Sequence, residues 1–196
     1  MGVNHNGSKN QLGTFYPPKR VVIDVSFLRS LSERDIQSGL GEILKLYALG
    51  DIPWVIDDLE EALKKCLLIK KEIIEEDELE KTIRPCLNYG HTFGHVFESM
   101  SNFKIPHGVA VLIGMYVIDR YFDVDVIKYG PYMHIIKKYC KYIILDNTLI
   151  FKHLKEDKKV LSDEITLIKC REFVKVKLDE TLVKDVMSIV SNELIP

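Results

Sequence analysis

Apolar positions recur along this chain with two different periods, and the helical one dominates. Ser32-Glu33-Arg34-Asp35 has the form of a helix start, since a serine side chain can accept from the free amides of a first turn. The helix that follows runs through GLGEILKLYAL. From Asp57 to Glu80, Leu59, Leu63, Leu67, Ile69, Ile73 and Ile74 fall close to helical spacing, with dense charge between them. Pro85 suits the first turn of the next helix, which is predicted to continue through Met100. Ile105-Pro106-His107-Gly108 reads as a break, followed by a helix from Val109 to Phe122, and two more helices are expected between Val126 and Leu154. ITLIKCREFVKVKL then reads as two strands, and Glu180 to Asn192 as a closing helix. Before Ser32, short strands are predicted over Leu12 to Tyr16 and Arg20 to Asp24, separated by Pro17-Pro18. The expected fold class is mainly α, with a few short strands at both ends. Residues 1–25 form a strand-bearing lead-in and residues 26–196 a helical domain.

Composition narrows the function classes. Across 196 residues, hydrophobic content is 46%, charged content 29% and the formal net charge -2, with no basic patch interleaved with aromatics, so nucleic acid is not an expected partner. The longest nearly unbroken apolar run, Val109 to Ile118, is too short to span a bilayer and closes on Asp119-Arg120. MGVNHNGSKNQLG lacks an apolar signal core, so the expected location is cytoplasmic and no membrane is involved. The cysteines, Cys66, Cys86, Cys140 and Cys170, are scattered without a CxxC pair and are expected to be reduced and mostly buried. No strand leads into GxGxxG, and no GxxxxGK[ST] occurs, so no nucleotide-binding fingerprint is present.

The chemistry concentrates in RPCLNYGHTFGHVFESM. On one continuous helix, Asn88, His91 and His95 would share a face, with Leu87, Tyr89, Phe93, Val96 and Phe97 on the other sides. A polar stripe in an apolar helix is costly to bury unless something satisfies it. Histidines at i and i+4 can reach one metal, or one metal and one substrate. His107 opens the next helix, and an antiparallel helix pair would bring it near His91. Glu42 sits mid-helix among Leu40, Ile43 and Leu44, with Lys45 on its face. A His, His, carboxylate set leaves open positions on zinc or a similar cation, as a catalytic site needs. The plainer alternative is a local Glu42–Lys45 ion pair with histidines that cap helices. Lys70, Arg84 and the Asp157–Lys159 stretch are further cations, of which Arg84 stands at the head of the histidine helix.

GLGEILK, RPCLNYGHTFGH and PHGVAVLIGM, in that order, resemble the metal-binding half of 3-dehydroquinate synthase, within the sugar-phosphate cyclases. The opening GVNHNGSKNQLGTFYPPKRVVID resembles the segment leading into that half. The resemblance runs from about Gly2 to Arg120 and more weakly beyond. It implies Glu42, His91 and His107 as ligands of a divalent metal, zinc or cobalt. It implies Lys45 and His95 as catalytic groups in contact with substrate. Lys70, Arg84 and Asn88 match positions that hold the substrate's phosphate, hydroxyls and carboxylate; Lys9 and Asn10 match further active-site positions, and Lys159 is a looser match. The reaction so implied converts the phosphorylated keto acid DAHP into 3-dehydroquinate and phosphate, in the shikimate pathway. NAD transiently oxidises a hydroxyl, phosphate is eliminated, the ketone is reduced, and the ring closes by an aldol step. Val109 stands where the family usually has an acidic residue after His-Gly, a change that bears on the support of His107 and on substrate choice.

The family's NAD-binding domain is not found in this chain, so the chain alone is expected to be inactive. The expectation is a truncated piece, a gene fragment or one half of a split enzyme, with a separate NAD-binding half as partner. The family resemblance also implies a homodimer. Two alternatives are the helical domain of an iron-containing alcohol or glycerol-1-phosphate dehydrogenase, and a non-catalytic metal-binding remnant. Lys45, Lys70 and Arg84 argue against the first, because a simple alcohol needs no such cluster of cations.

Overall fold

Ser32 caps the first long helix as its position predicts: its side chain accepts from the Asp35 amide, and α1 runs Glu33–Leu49. The structure is a computed structural model that describes residues 2–5, 8–14, 16, 19–156 and 163–195. It divides into two units, residues 1–30 and 31–196.

In the first unit, β1 (Gly2–His5) and β2 (Ser8–Gly13) form an antiparallel pair. A 3-10 turn follows at Val25–Ser30. The two predicted strands are displaced. Of Leu12 to Tyr16 only the first two residues lie in β2, and Phe15 is outside the described residues. Arg20 to Asp24 is not a strand. Its side chains explain why: Val21, Val22 and Ile23 are 70%, 81% and 55% exposed. A β-branched run becomes a strand only by pairing, and among the described residues no strand lies beside it.

The second unit is built of helices around one large apolar cluster, with two smaller clusters where α1 and α2 meet. Asp58 caps α2 (Leu59–Glu76), accepting from the amides of Glu60 and Glu61. The helical pattern predicted to reach Glu80 stops at Glu76, because Asp77 takes over the backbone there. Its carboxylate accepts from the amides of Lys81, Thr82 and Arg84 at 2.8, 2.7 and 3.0 Å, folding the chain into a loop. Burial would raise the Asp77 carboxyl, but those donors hold it down to about 2.

The helix predicted from Pro85 through Met100 is broken in two. A 3-10 segment, Arg84–Asn88, is followed by Gly90 at φ +79° and then by α3 (His91–Met100). The left-handed backbone at Gly90 ends the first segment, and a Cβ there would meet Met115 Cγ and the Val111 carbonyl at 2.5 Å. The central element is α4 (His107–Tyr121), buried without interruption from Gly108 to Asp119. The apolar run Val109 to Ile118 is therefore the heart of the core. Among the described residues no helix is long and apolar enough to cross a membrane.

The rest closes around α4. After a 3-10 segment at Ile127–Tyr132 come the two expected helices, α5 (Met133–Cys140) and α6 (Asn147–Glu156). The predicted strand pair is the antiparallel hairpin β3 (Glu164–Lys169) and β4 (Glu172–Lys177), with Ile165 and Leu167 turned inward. Its turn is pinned to the end of α1: Arg171 Nε donates to the Leu49 carbonyl at 2.7 Å. The closing helix is α7 (Glu180–Ile189), capped by Asp179 and continued as a π turn over Val190–Leu194. There Glu193 accepts from Arg120 and from the Tyr116 hydroxyl. All four thiols are unpaired, with Cys66, Cys86 and Cys140 buried as expected and Cys170 part-exposed.

Candidate metal centre

Three helices deliver the site, and glycines set how closely they approach. At the α1–α4 crossing, a Cβ on Gly41 would lie only 1.9 Å from the Gly108 carbonyl oxygen, and one on Gly108 only 1.8 Å from the Ser38 carbonyl oxygen. The Gly108 amide donates to Ser38 Oγ at 3.0 Å across the same contact. At the α3–α4 crossing, a Cβ on Gly114 would collide with the Gly90 carbonyl. Glu42, His91 and His107 are each the chain neighbour of one of these glycines. The backbone contacts thus bring the three side chains together.

The geometry at their meeting point is specific. Glu42 Oε2 accepts from Lys45 Nζ at 2.7 Å, and the Lys45 side chain is only 6% exposed. Glu42 Oε1 is buried with no hydrogen-bond partner. It lies 3.8 Å from His91 Nε2 and 3.5 Å from His107 Nε2. These separations are long for hydrogen bonds. They match the spacing of two ligands of one tetrahedral ion, which sit about 3.4 Å apart when each is about 2.1 Å from it. A buried carboxylate oxygen without a donor is costly, and a shared cation would satisfy it.

Both rings are held from behind. His91 Nδ1 faces the Tyr89 carbonyl at 3.2 Å, and His107 Nδ1 faces Glu98 Oε2 at 3.1 Å. A carbonyl can only accept, so that bond commits the His91 proton to Nδ1 and turns the Nε2 lone pair toward Glu42. Burial, aided by the positive charge of Lys45, pushes His91 down to about 4, so its ring is neutral at neutral pH. His107 is raised, first by its hydrogen bond to Glu98 and against its burial. Burial would raise Glu42, but Lys45 and the two histidines keep it below the ordinary carboxylate value.

His95 joins this group. Its ring centroid is 5.2 Å from that of His91 and 5.7 Å from that of His107, and nitrogens of the three rings lie within 4.8 Å of one another. The side chains brought together are therefore three histidines, Glu42 and Lys45. The other predicted residues stand differently. Asn88 ends the 3-10 segment before Gly90, so the single helical stripe expected for Asn88, His91 and His95 does not exist. Arg84 heads that segment, its guanidinium donating to the Glu78 carbonyl at 2.6 Å. Lys70 is an exposed residue of α2. Lys9 and Asn10 lie on β2 but their side chains are outside the described residues, as is Lys159 altogether.

Two supports escaped the sequence reading. Glu98 follows His91 by seven residues and His95 by three on α3, spacing that puts it on the histidine face. Val109 is fully buried in the core, so the carboxylate behind His107 comes from α3 and position 109 does not supply it. The Tyr89 carbonyl had no signal, because it depends on the turn at Gly90.

Comparison with known proteins fits this picture. Residues 24–160 match the family described as 3-dehydroquinate synthase C-terminal, and residues 1–38 match 3-dehydroquinate synthase N-terminal. The chain is 32% identical to a 3-dehydroquinate synthase of Dictyoglomus turgidum, an alignment covering 96% of this chain and 59% of that protein. It is 42% identical to that of Alkaliphilus metalliredigens, over 59% of this chain and 36% of the other. The chain thus spans less than two thirds of the length of these relatives. A solved 2-deoxy-scyllo-inosose synthase, complexed with carbaglucose-6-phosphate, NAD+ and Co2+, shares the fold. Its TM-score is 0.68 at 23% identity, covering 95% of this chain and 60% of that one.

Proposed function

The chain belongs to the 3-dehydroquinate synthase family, and from that we propose that it is the metal- and substrate-binding half of a cyclase converting DAHP into 3-dehydroquinate and phosphate. One observation carries the proposal: the buried, unpartnered Glu42 Oε1 faces the Nε2 atoms of both His91 and His107. In this reading Glu42, His91 and His107 hold a divalent ion, zinc or cobalt. The bound ion would supply Lewis acidity that makes an adjacent substrate hydroxyl easier to deprotonate.

The chain's own residues do the rest. Lys45, buried beside Glu42, and His95, beside both metal histidines, act at the reacting substrate. Lys70, Arg84 and Asn88 hold the substrate's phosphate, hydroxyls and carboxylate through charge-assisted hydrogen bonds, and Lys9, Asn10 and Lys159 are further substrate-binding candidates. The Co2+ and carbaglucose-6-phosphate in the inosose synthase crystal support both ligand classes. Redox chemistry belongs to NAD, so turnover needs a nucleotide-binding half, on the same polypeptide or another. A second copy of the chain is the other partner expected, and the cytoplasm the expected location.

The test is metal content. Purified with zinc supplied at neutral pH, the 196-residue chain should retain about one ion per chain, and His91→Ala should lose it. If both come out metal-free, the reading fails. Turnover of DAHP by the 196 residues with NAD alone would refute the need for another half.

A further inference from the structure

A second buried carboxylate lies away from the proposed metal ligands. Asp119 is buried on α4, in the middle of the apolar run's exit. Its Oδ1 accepts a hydrogen bond from the Tyr89 hydroxyl. Its Oδ2 accepts from the Tyr129 hydroxyl at 2.8 Å and from Lys128 Nζ at 2.9 Å. Tyr89 and Tyr129 are fully buried, and Lys128 lies over the Trp54 ring at 5.2 Å. A buried carboxylate with donors on both oxygens specifies one arrangement of its partners, because any other leaves charge or hydroxyls unsatisfied.

What that arrangement fixes is Tyr89. Its side chain is tied to α4 through Asp119, while its carbonyl, on the other side of the residue, receives His91 Nδ1. Gly90 then turns the chain at φ +79°, so the orientation of the Tyr89 peptide decides where α3 begins and how His91 faces. The same helix α4 carries His107 at its first turn. We propose that Asp119 is a positioning residue for the metal centre: through Tyr89 it sets the ring orientation and tautomer of His91. Helix α4 then governs both metal histidines, His107 directly and His91 through the Asp119–Tyr89 link. The consequence for metal binding rests on the function proposed above; the consequence for the His91 ring does not.

The experiment separates the two. Long-range proton–nitrogen NMR of the metal-free, nitrogen-labelled 196-residue chain at neutral pH reads the tautomer of each histidine. In the wild type, His91 should carry its proton on Nδ1. Tyr89→Phe, which removes one oxygen atom, should shift His91 toward a mixture and lower zinc affinity roughly tenfold. Asp119→Asn should act in the same direction. His107, held by Glu98, should keep its pattern and serves as the internal reference. A wild-type His91 with its proton on Nε2 overturns the inference without recourse to any variant. So does a Tyr89→Phe chain with unchanged His91 nitrogen shifts, whatever its zinc affinity, and so does an equal change at His107. If the wild type binds no zinc, the metal reading falls, and the tautomer comparison still decides this one.

Discussion

Gly39 and Gly41 lie two residues apart on α1, and replacing each by alanine should move stability in opposite directions. A Cβ on Gly39 has nothing within 4 Å, so Gly39→Ala gains only helix propensity, about 1 kcal/mol. For a domain of this size that raises the melting temperature by roughly 2–4 °C. Gly41→Ala gains the same propensity, but its Cβ would lie 1.9 Å from the Gly108 carbonyl oxygen, with Gly108 Cα at 3.2 Å. The obstacle is backbone on both sides and cannot rotate away, so α1 and α4 must part by about 1 Å, and the overpacking cost belongs at the upper end of the usual range, about 3 kcal/mol. The steric term wins, leaving about 2 kcal/mol of destabilisation and a melting temperature lower by roughly 4–8 °C. The same separation reaches the site, because Glu42 and His107 flank the contact. Their 3.5 Å approach would open to about 4.5 Å, beyond what one tetrahedral ion spans, and zinc affinity should fall at least roughly tenfold. Thermal melts of the three chains with and without zinc measure both effects, since a ligand of the folded state raises the melting temperature. Gly41→Ala melting at or above the wild type, with the zinc shift intact, would refute the reasoning.

Two pH responses follow from the charged supports. The Glu98 carboxylate raises His107, so its contribution is full below the ordinary histidine value of 6.5 and is lost as pH rises through the raised value. His91, pushed down to about 4, stays neutral throughout that window. Glu98→Gln should therefore flatten the decline in urea-melt stability of the metal-free chain above 6.5, and identical slopes would sink the assignment. Asp77, held down to about 2, contributes stability above its ordinary value of 3.8 that is lost as pH falls toward about 2. Asp77→Asn should be less stable at neutral pH and lose less on acidification; acid melts that run parallel to the wild type would contradict the loop's dependence on that carboxylate.

The elements legible in the sequence are those fixed by local chemistry. Ser32 announced α1, the alternating ITLIKCREFVKVKL announced the hairpin, and Val109 to Ile118 announced the buried core helix. The end of α2 was misread for a local reason, the Asp77 loop, whereas the two larger misreadings turned on partners distant in sequence. The helical period runs through residues 84–100 without interruption, and only contact with Val111 and Met115 reveals why Gly90 must break it. RVVID has strand composition, yet a strand needs a neighbour to pair with. At the site, the grouping of Glu42, His91 and His107 was readable from spacing and resemblance, while Glu98 and the Tyr89 carbonyl, which face the two rings from behind, were not.

The motifs that carry the proposed ligands are also packing motifs, and this explains why they read as units. In GLGE and PHGV the glycine and the ligand are adjacent, so on a helix they point about 100° apart. A glycine at the crossing faces the neighbouring helix, and the residue beside it projects into the groove that flanks the contact. Gly41 and Gly108 touch each other, so Glu42 and His107 enter one groove from its two walls. Gly90, seated against Gly114, starts α3 where His91 closes the third side. Moving any of these ligands by one position would rotate it out of the groove while leaving composition and hydrophobic pattern almost unchanged. The position of the orphaned Glu42 oxygen is thus set by the helix contacts themselves. A change that loosens those contacts should reach metal affinity before it unfolds the chain.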